Sequence, residues 1–169
     1  MNQTLTELFL AELEREAKGT RRALERVPDG HADWKPHQKS MSLGQLAGLV
    51  AGMPGWIDMI INMDELDLGG GGNGHRPKPK TSQELLDDHE GALKKAQESL
   101  KKTTEEHLMT SWKLKAGGKV VLDQPRHIVI RDTISHLAHH RGQLTVFLRL
   151  LDAPVPAIYG PSADDARFD

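Results

Sequence analysis

The longest uninterrupted helical pattern in this chain is fenced by prolines. Asp123-Gln124-Pro125 precedes it, Pro154 and Pro156 follow it, and no proline interrupts the stretch between. Proline is tolerated in the first turn of a helix and excluded from its interior. The stretch therefore reads as one helix ending at about Leu151, with Asp123 or Gln124 as cap candidate and Pro125 as first helical residue. A helix of that length extends about 40 Å and needs partners of similar length to cover its apolar stripe.

Three other segments can supply them. Thr4 to Arg26 places Leu5, Leu8, Phe9, Leu13, Ala17 and Leu24 at helical spacing among charged residues, and Val27-Pro28-Asp29-Gly30 stops it. His31 to Ser40 reads as loop. Ser42 and Gln45 form a capping box for a second helix, Leu43 to Met63, in which Pro54 should introduce a kink. Its glycines (Gly44, Gly48, Gly52, Gly55) weaken it intrinsically and permit close approach of a neighbour. Asp67 to Lys80 is glycine-rich and reads as a linker, since neither a preceding strand nor a Gly-Lys-Ser/Thr ending makes it a phosphate loop. Thr81 and Glu84 cap a third helix running to about Thr103. Two short alternating runs around Gly117-Gly118 then predict a β-hairpin. The expected fold is all-α: one domain over residues 1–169, a four-helix bundle with a short β-hairpin between the third and fourth helices. With only 4% aromatic residues, such a core relies on aliphatic side chains; Trp34, Trp56 and Trp112 are read as anchors within it.

Composition removes several functions. The formal net charge of −2 and the absence of a basic block argue against nucleic-acid binding. No cysteine is present, which excludes disulfides, thiolate metal sites and a cysteine nucleophile. No apolar run is long enough to span a bilayer, and the early charges of the N-terminal segment do not suit a signal peptide. A soluble cytoplasmic protein is the expectation. Nine histidines remain to be explained.

Two of them sit on the long last helix. With His136 at zero and about 100° per residue, Val129 and Phe147 fall near about 20° and His140 near about 40°. Leu151, Leu144 and Leu137 follow at about 60°, 80° and 100°, and Ile130 and Leu148 at about 120°. His136 and His140 are thus expected inside the apolar stripe, with Thr133 as its other polar member. His139, near about 300°, is expected at the surface or an interface. A pair of imidazoles one turn apart can converge on a first-row metal ion. Equally, both can be core histidines bonded to neighbours or water. Leu137 stands where a zincin motif would carry glutamate, so that chemistry is not indicated. Ser135 and His136 point about 100° apart and make no nucleophile–base pair. Ser162, Asp164 and Asp165 lack an elbow around the serine. Arg141 and Gln143 are read as pairing on the helix surface or with a neighbour's carbonyl, and Tyr159 as packing the tail or closing over a pocket.

Three segments carry a family resemblance. HLAHHRGQLTVFLRLLDAPVPAIYGPSADD (His136 to Asp165), DWKPHQKSMSLGQLAGLVAGMPGW (Asp33 to Trp56) and RDTISH before the first of these resemble DinB-like proteins. The resemblance covers essentially the whole chain. It implies a four-helix bundle, often dimeric, with a divalent nickel, zinc or iron ion held by three histidines. Members with known activity use the ion to activate water or a thiol, as hydrolases, thiol-dependent transferases or isomerases. Two of the three ligands match His136 and His140. The third, in the second helix, matches Leu49, which cannot ligate. Met53 one turn along, or one of His31, His37, His75 and His107, is a conceivable substitute, and a weak ion held by two imidazoles and water is another. The resemblance thus implies a metal-dependent enzyme acting on a small molecule, with the metal weakly held or absent. The alternative is a metal-free bundle serving as a binding or scaffold protein. A homodimer is expected from the family and the glycine-rich second helix; a nucleic-acid-binding damage effector ranks last.

Overall fold

The structure is a computed structural model that describes residues 3–69 and 81–168. Among these residues it is mostly helical, with six helices and a small three-stranded sheet. The glycine-rich linker expected over 67–80 falls almost entirely outside the described residues, and His75 with it.

Helix α1 spans Leu5–Leu24, opened by a capping box between Thr4 and Glu7. The expected second helix is broken in two, α2 (Leu43–Gly52) and α3 (Gly55–Asn62), whose axes bend by 50°. Pro54 sits at the break, where the missing N–H and the ring do what the sequence foretold. The Ser42–Gln45 capping box opens α2, and a Thr81–Glu84 box opens α4 (Ser82–Lys102). A single-turn α5 (Glu105–Leu108) follows, and then the long α6 (Arg126–Leu150).

Strands β2 (Ser111–Ala116) and β3 (Lys119–Pro125) pair antiparallel around Gly117-Gly118. Both glycines have positive φ, 60° and 81°, a conformation that favours residues without a Cβ. Strand β1 (Glu65–Asp67) adds to β2 in parallel and had no counterpart in the sequence reading. It is held by its own Asp67, whose carboxylate accepts from the backbone N–H groups of Gly69, Gly117 and Gly118 at 2.7–2.9 Å. These donors hold the Asp67 carboxyl below the usual carboxylate range.

The start of α6 also differs from expectation. Asp123, Gln124 and Pro125 finish β3, and no side chain caps the helix. The strand runs straight into the helix, and the Arg126 N–H is satisfied by the carbonyl of Thr110 at 2.9 Å.

The bend between α2 and α3 divides the core. Around α2, Leu43, Leu46, Val50 and Met53 pack with Leu24, Leu85, Leu137, Leu144 and Leu148. Around α3, Ile57, Ile60 and Ile61 pack with Phe9, Leu13, Leu100, Leu108, Trp112, Ile130 and Ile134. Trp56, just after the break, touches both clusters. Helix α6 runs along both and so fastens the two halves together. No single helix among the described residues is long and apolar enough to cross a membrane. The bent α2–α3 pair passes that test by length and composition, as buried core helices do.

Candidate functional site

The buried face of α6 is not centred where the apolar pattern put it. Its buried residues are Arg126, Val129, Ile130, Thr133, Ile134, Leu137, Arg141, Leu144 and Leu148. On the wheel their centre lies near about 100° from His136. His136 and His140 therefore occupy the margin of the stripe, His136 exposed and His140 half-buried. The displacement has two sources: Phe147 and Leu151 are only half-buried, while Ile134 and Arg141, near about 160° and 140°, are buried, and Arg126 is buried with them.

Arg126 is 2% exposed. Its guanidinium donates to the carbonyls of Ile60 and Met63 at 2.7 and 2.8 Å and to Asp64 at 2.6 Å. It thereby satisfies carbonyls at the C-terminal end of α3, where a cation also meets the negative end of the helix dipole. Arg141 is 1% exposed and donates to the Glu16 carboxylate (2.6 Å), the Glu16 carbonyl (2.9 Å), the Thr20 hydroxyl (3.1 Å) and the Tyr159 hydroxyl (2.6 Å). Tyr159 in turn donates to Glu16 at 2.8 Å. Gly19 permits this, since a Cβ there would come within 3.2 Å of the guanidinium and 3.3 Å of Ile158. Tyr159 thus pins the tail to the body rather than covering the histidines. Burial and its donation to Glu16 push its hydroxyl above the ordinary value.

The histidines do meet. His136 Nε2 and His140 Nε2 are 2.8 Å apart, with ring centroids at 4.5 Å. Trp56 packs edge-on against His136, centroid to centroid 5.7 Å, so it borders the pair as well as anchoring the core. His140 Nδ1 lies 2.7 Å from Gln143 Oε1, and Gln143 Nε2 lies 3.1 Å from His139 Nε2. His139 is exposed, as the wheel placed it. Partial burial, and after it the neighbouring His140 and His139, hold the His136 imidazole below its ordinary value.

The other expected contributors lie elsewhere. Met53 is fully buried in the core. His31 contacts the Asp29 carbonyl, His37 accepts from the Lys39 N–H, and His107 meets the Ile61 carbonyl. Ser162 organises the tail, donating to the Val155 carbonyl and accepting from the N–H groups of Asp164 and Asp165. Leu49 is half-buried against the α2 core cluster. Among the described residues no group of three His, Asp or Glu side chains is placed to hold a metal. Two imidazoles suit an open, exchangeable ion whose shell is completed by solvent or ligand. They fall short of the three protein ligands of a closed or catalytic zinc site.

One histidine is buried, away from this pair. His89 on α4 is 1% exposed; its Nδ1 lies 3.4 Å from the Ala51 carbonyl and its Nε2 has no partner. Burial holds its imidazole below the ordinary value, against the opposing pull of the Ala51 and Ala17 backbones.

The helical architecture defines a class, and similarity to known proteins names it. The DinB family model matches residues 1–167. The chain belongs to the DinB family. It is 27% identical to the uncharacterized protein YrdA of Bacillus subtilis over 169 residues, covering 99% of this chain and 96% of that protein. A DinB-like protein from Bacillus cereus superposes with a TM-score of 0.70 at 22% identity, covering 89% of this chain and 95% of that one. A DinB-like protein from Bacillus subtilis superposes at 0.66 and 17% identity, covering 86% and 92%. At these identities the structures establish a shared fold.

Proposed function

We propose that this protein is a DinB-family enzyme of the hydrolase or thiol-dependent transferase type. It acts on a small molecule at an open divalent-ion site formed by His136 and His140. The observation that carries the reading is the convergence of their two Nε2 atoms beside Trp56. When bound, nickel, zinc or iron supplies a Lewis acid that lowers the pKa of a coordinated water or thiol. The protein's part is to aim the two imidazoles at one point and to border them with the Trp56 ring. Leu49 contributes no donor, so the ion is weakly held and much of its shell is left to solvent and ligand.

In the same proposal α1, the bent α2–α3 pair, α4 and α6 act as four arms of a bundle forming one domain, with the hairpin between the last two. The protein is a cytoplasmic homodimer. Val146 and Leu150, 57% and 56% exposed one turn apart on α6, are the apolar surface that supports a dimer. Light scattering after gel filtration tests it, and a monomer at all concentrations removes it.

Titration with nickel or zinc, followed by elemental analysis, tests the ion site. Wild type should bind, and His136→Ala should not. At 100 times its dissociation constant, an ion that binds the folded state adds about 2.7 kcal/mol, or about 5–11 °C in Tm for a chain of this size. Equal ion content in both proteins, or no shift in Tm with ion or chelator, would leave the metal-free binding or scaffold role in its place.

A further inference from the structure

Gln143 lies one helical turn beyond both His139 and His140, and its amide touches both rings. A neutral imidazole carries one N–H and one lone pair, an amide oxygen accepts only, and an amide nitrogen donates only. Gln143 Oε1 faces His140 Nδ1 at 2.7 Å, which places the proton on Nδ1. His140 Nε2 is then a lone pair. At 2.8 Å from His136 Nε2 it accepts the N–H of that ring. On the other side Gln143 Nε2 donates to His139 Nε2 at 3.1 Å. The chain runs one way, from His136 to His140 to Gln143 to His139.

We propose that Gln143 is a positioning residue of the histidine pair: its amide holds His140 in the Nδ1–H tautomer and directs the Nε2 lone pair toward His136. The inference rests on the ion-site reading and deepens it. A ligating histidine commonly donates its remaining N–H to an acceptor, which fixes ring orientation and raises the basicity of the ligating nitrogen. Gln143 gives His140 that arrangement in advance. Only His136 then has to change tautomer to present a second lone pair. Without the amide, His140 is free to adopt the Nε2–H form, in which the lone pair on Nδ1 points away from His136.

Long-range proton–nitrogen NMR correlation of the imidazoles, recorded above the histidine titration range and without metal, reads the tautomer of each ring. Wild-type His140 should give the Nδ1–H pattern. Gln143→Leu should move it toward Nε2–H, and Gln143→Glu, whose carboxylate accepts in the same place, should restore it. An Nε2–H pattern for wild-type His140, as a reversed amide would produce, overturns the proposal; so does a pattern unchanged in Gln143→Leu. Nickel titration is the second arm. Gln143→Leu should weaken binding by about 10–100-fold and Gln143→Glu should recover it. Unchanged affinity in Gln143→Leu removes the positioning role. If wild type binds no nickel, the ion-site reading fails by itself, and the tautomer pattern still decides what Gln143 does.

Discussion

Arg141 and His140 are neighbours in the chain, and their side chains occupy opposite situations. The Arg141 guanidinium is enclosed between α1, α6 and the tail, and Glu16, Thr20 and Tyr159 take up its donors. The His140 ring is at the rim, its nitrogens engaged by a second imidazole and a surface amide. One cluster is closed in charge and hydrogen bonding; the other keeps a face open to whatever arrives. Burying a charge is tolerable when it is paired and hydrogen-bonded, and here the match ties the tail to α1. Polar residues in a helical core therefore divide by how fully their partners are supplied, and residue type alone does not sort them.

The largest effect should come from breaking the closed cluster. Arg141→Ala leaves the Glu16 carboxylate buried without its cation and should cost about 3–5 kcal/mol. That corresponds to a fall of about 6–20 °C in Tm for a chain of this size, measured by calorimetry. Adding Glu16→Gln to Arg141→Met should recover much of the loss; no recovery would mean that packing, rather than the unpaired charge, dominates. Tyr159→Phe keeps the ring and deletes the hydroxyl, and should lower stability by about 1 kcal/mol in denaturant titration.

A pH series places His89 between the two extremes. Its imidazole is buried neutral, so its folded-state pKa lies below the ordinary value of 6.5. Above that value neither state takes up the proton and stability is full. As pH falls from there through the folded pKa, the unfolded chain gains a proton that the folded chain resists, and stability is lost. Arg21 opposes protonation of His89 and Glu90 favours it. His89→Gln should flatten the acid limb of the stability profile, and an equally steep limb would exonerate His89.

The smallest effect on stability belongs to the open pair. His136→Ala should change it by no more than about 0.5 kcal/mol while abolishing ion binding. Leu49→His should act in the opposite sense, tightening nickel or zinc by on the order of tenfold or more as a third imidazole joins the set. Unaltered affinity would place position 49 out of reach of the pair.

Much of the fold was legible because its punctuation is local. Thr81, Ser42 and Pro54 act within a few residues of themselves, and capping boxes and a proline break require nothing distant. Strand β1 was not legible. Three residues held by a parallel partner and by the Asp67 carboxylate carry no periodicity of their own. The histidine pair was found through its spacing, but its depth was misjudged. The buried Ile134 and Arg141 lie on the far side of the stripe from it, and the burial of Arg126 and Arg141 depends on carbonyls and carboxylates 62 to 125 residues away. An arginine in sequence looks like surface until its partners are known. One signal was available: Arg141 sits at about 140° on the wheel, beside Ile130 and Leu148 rather than opposite them.

The Glu16–Arg141 pair also sets a schedule. The two residues are 125 positions apart, and Tyr159 is further still. At ordinary synthesis rates of about 5–20 residues per second, the carboxylate is made roughly 6–25 s before its cation. During that interval Glu16 lacks the guanidinium beside which it is finally buried. Helix α1 is therefore finished only when α6 and the segment carrying Tyr159 have been made, and this part of the fold closes late in synthesis.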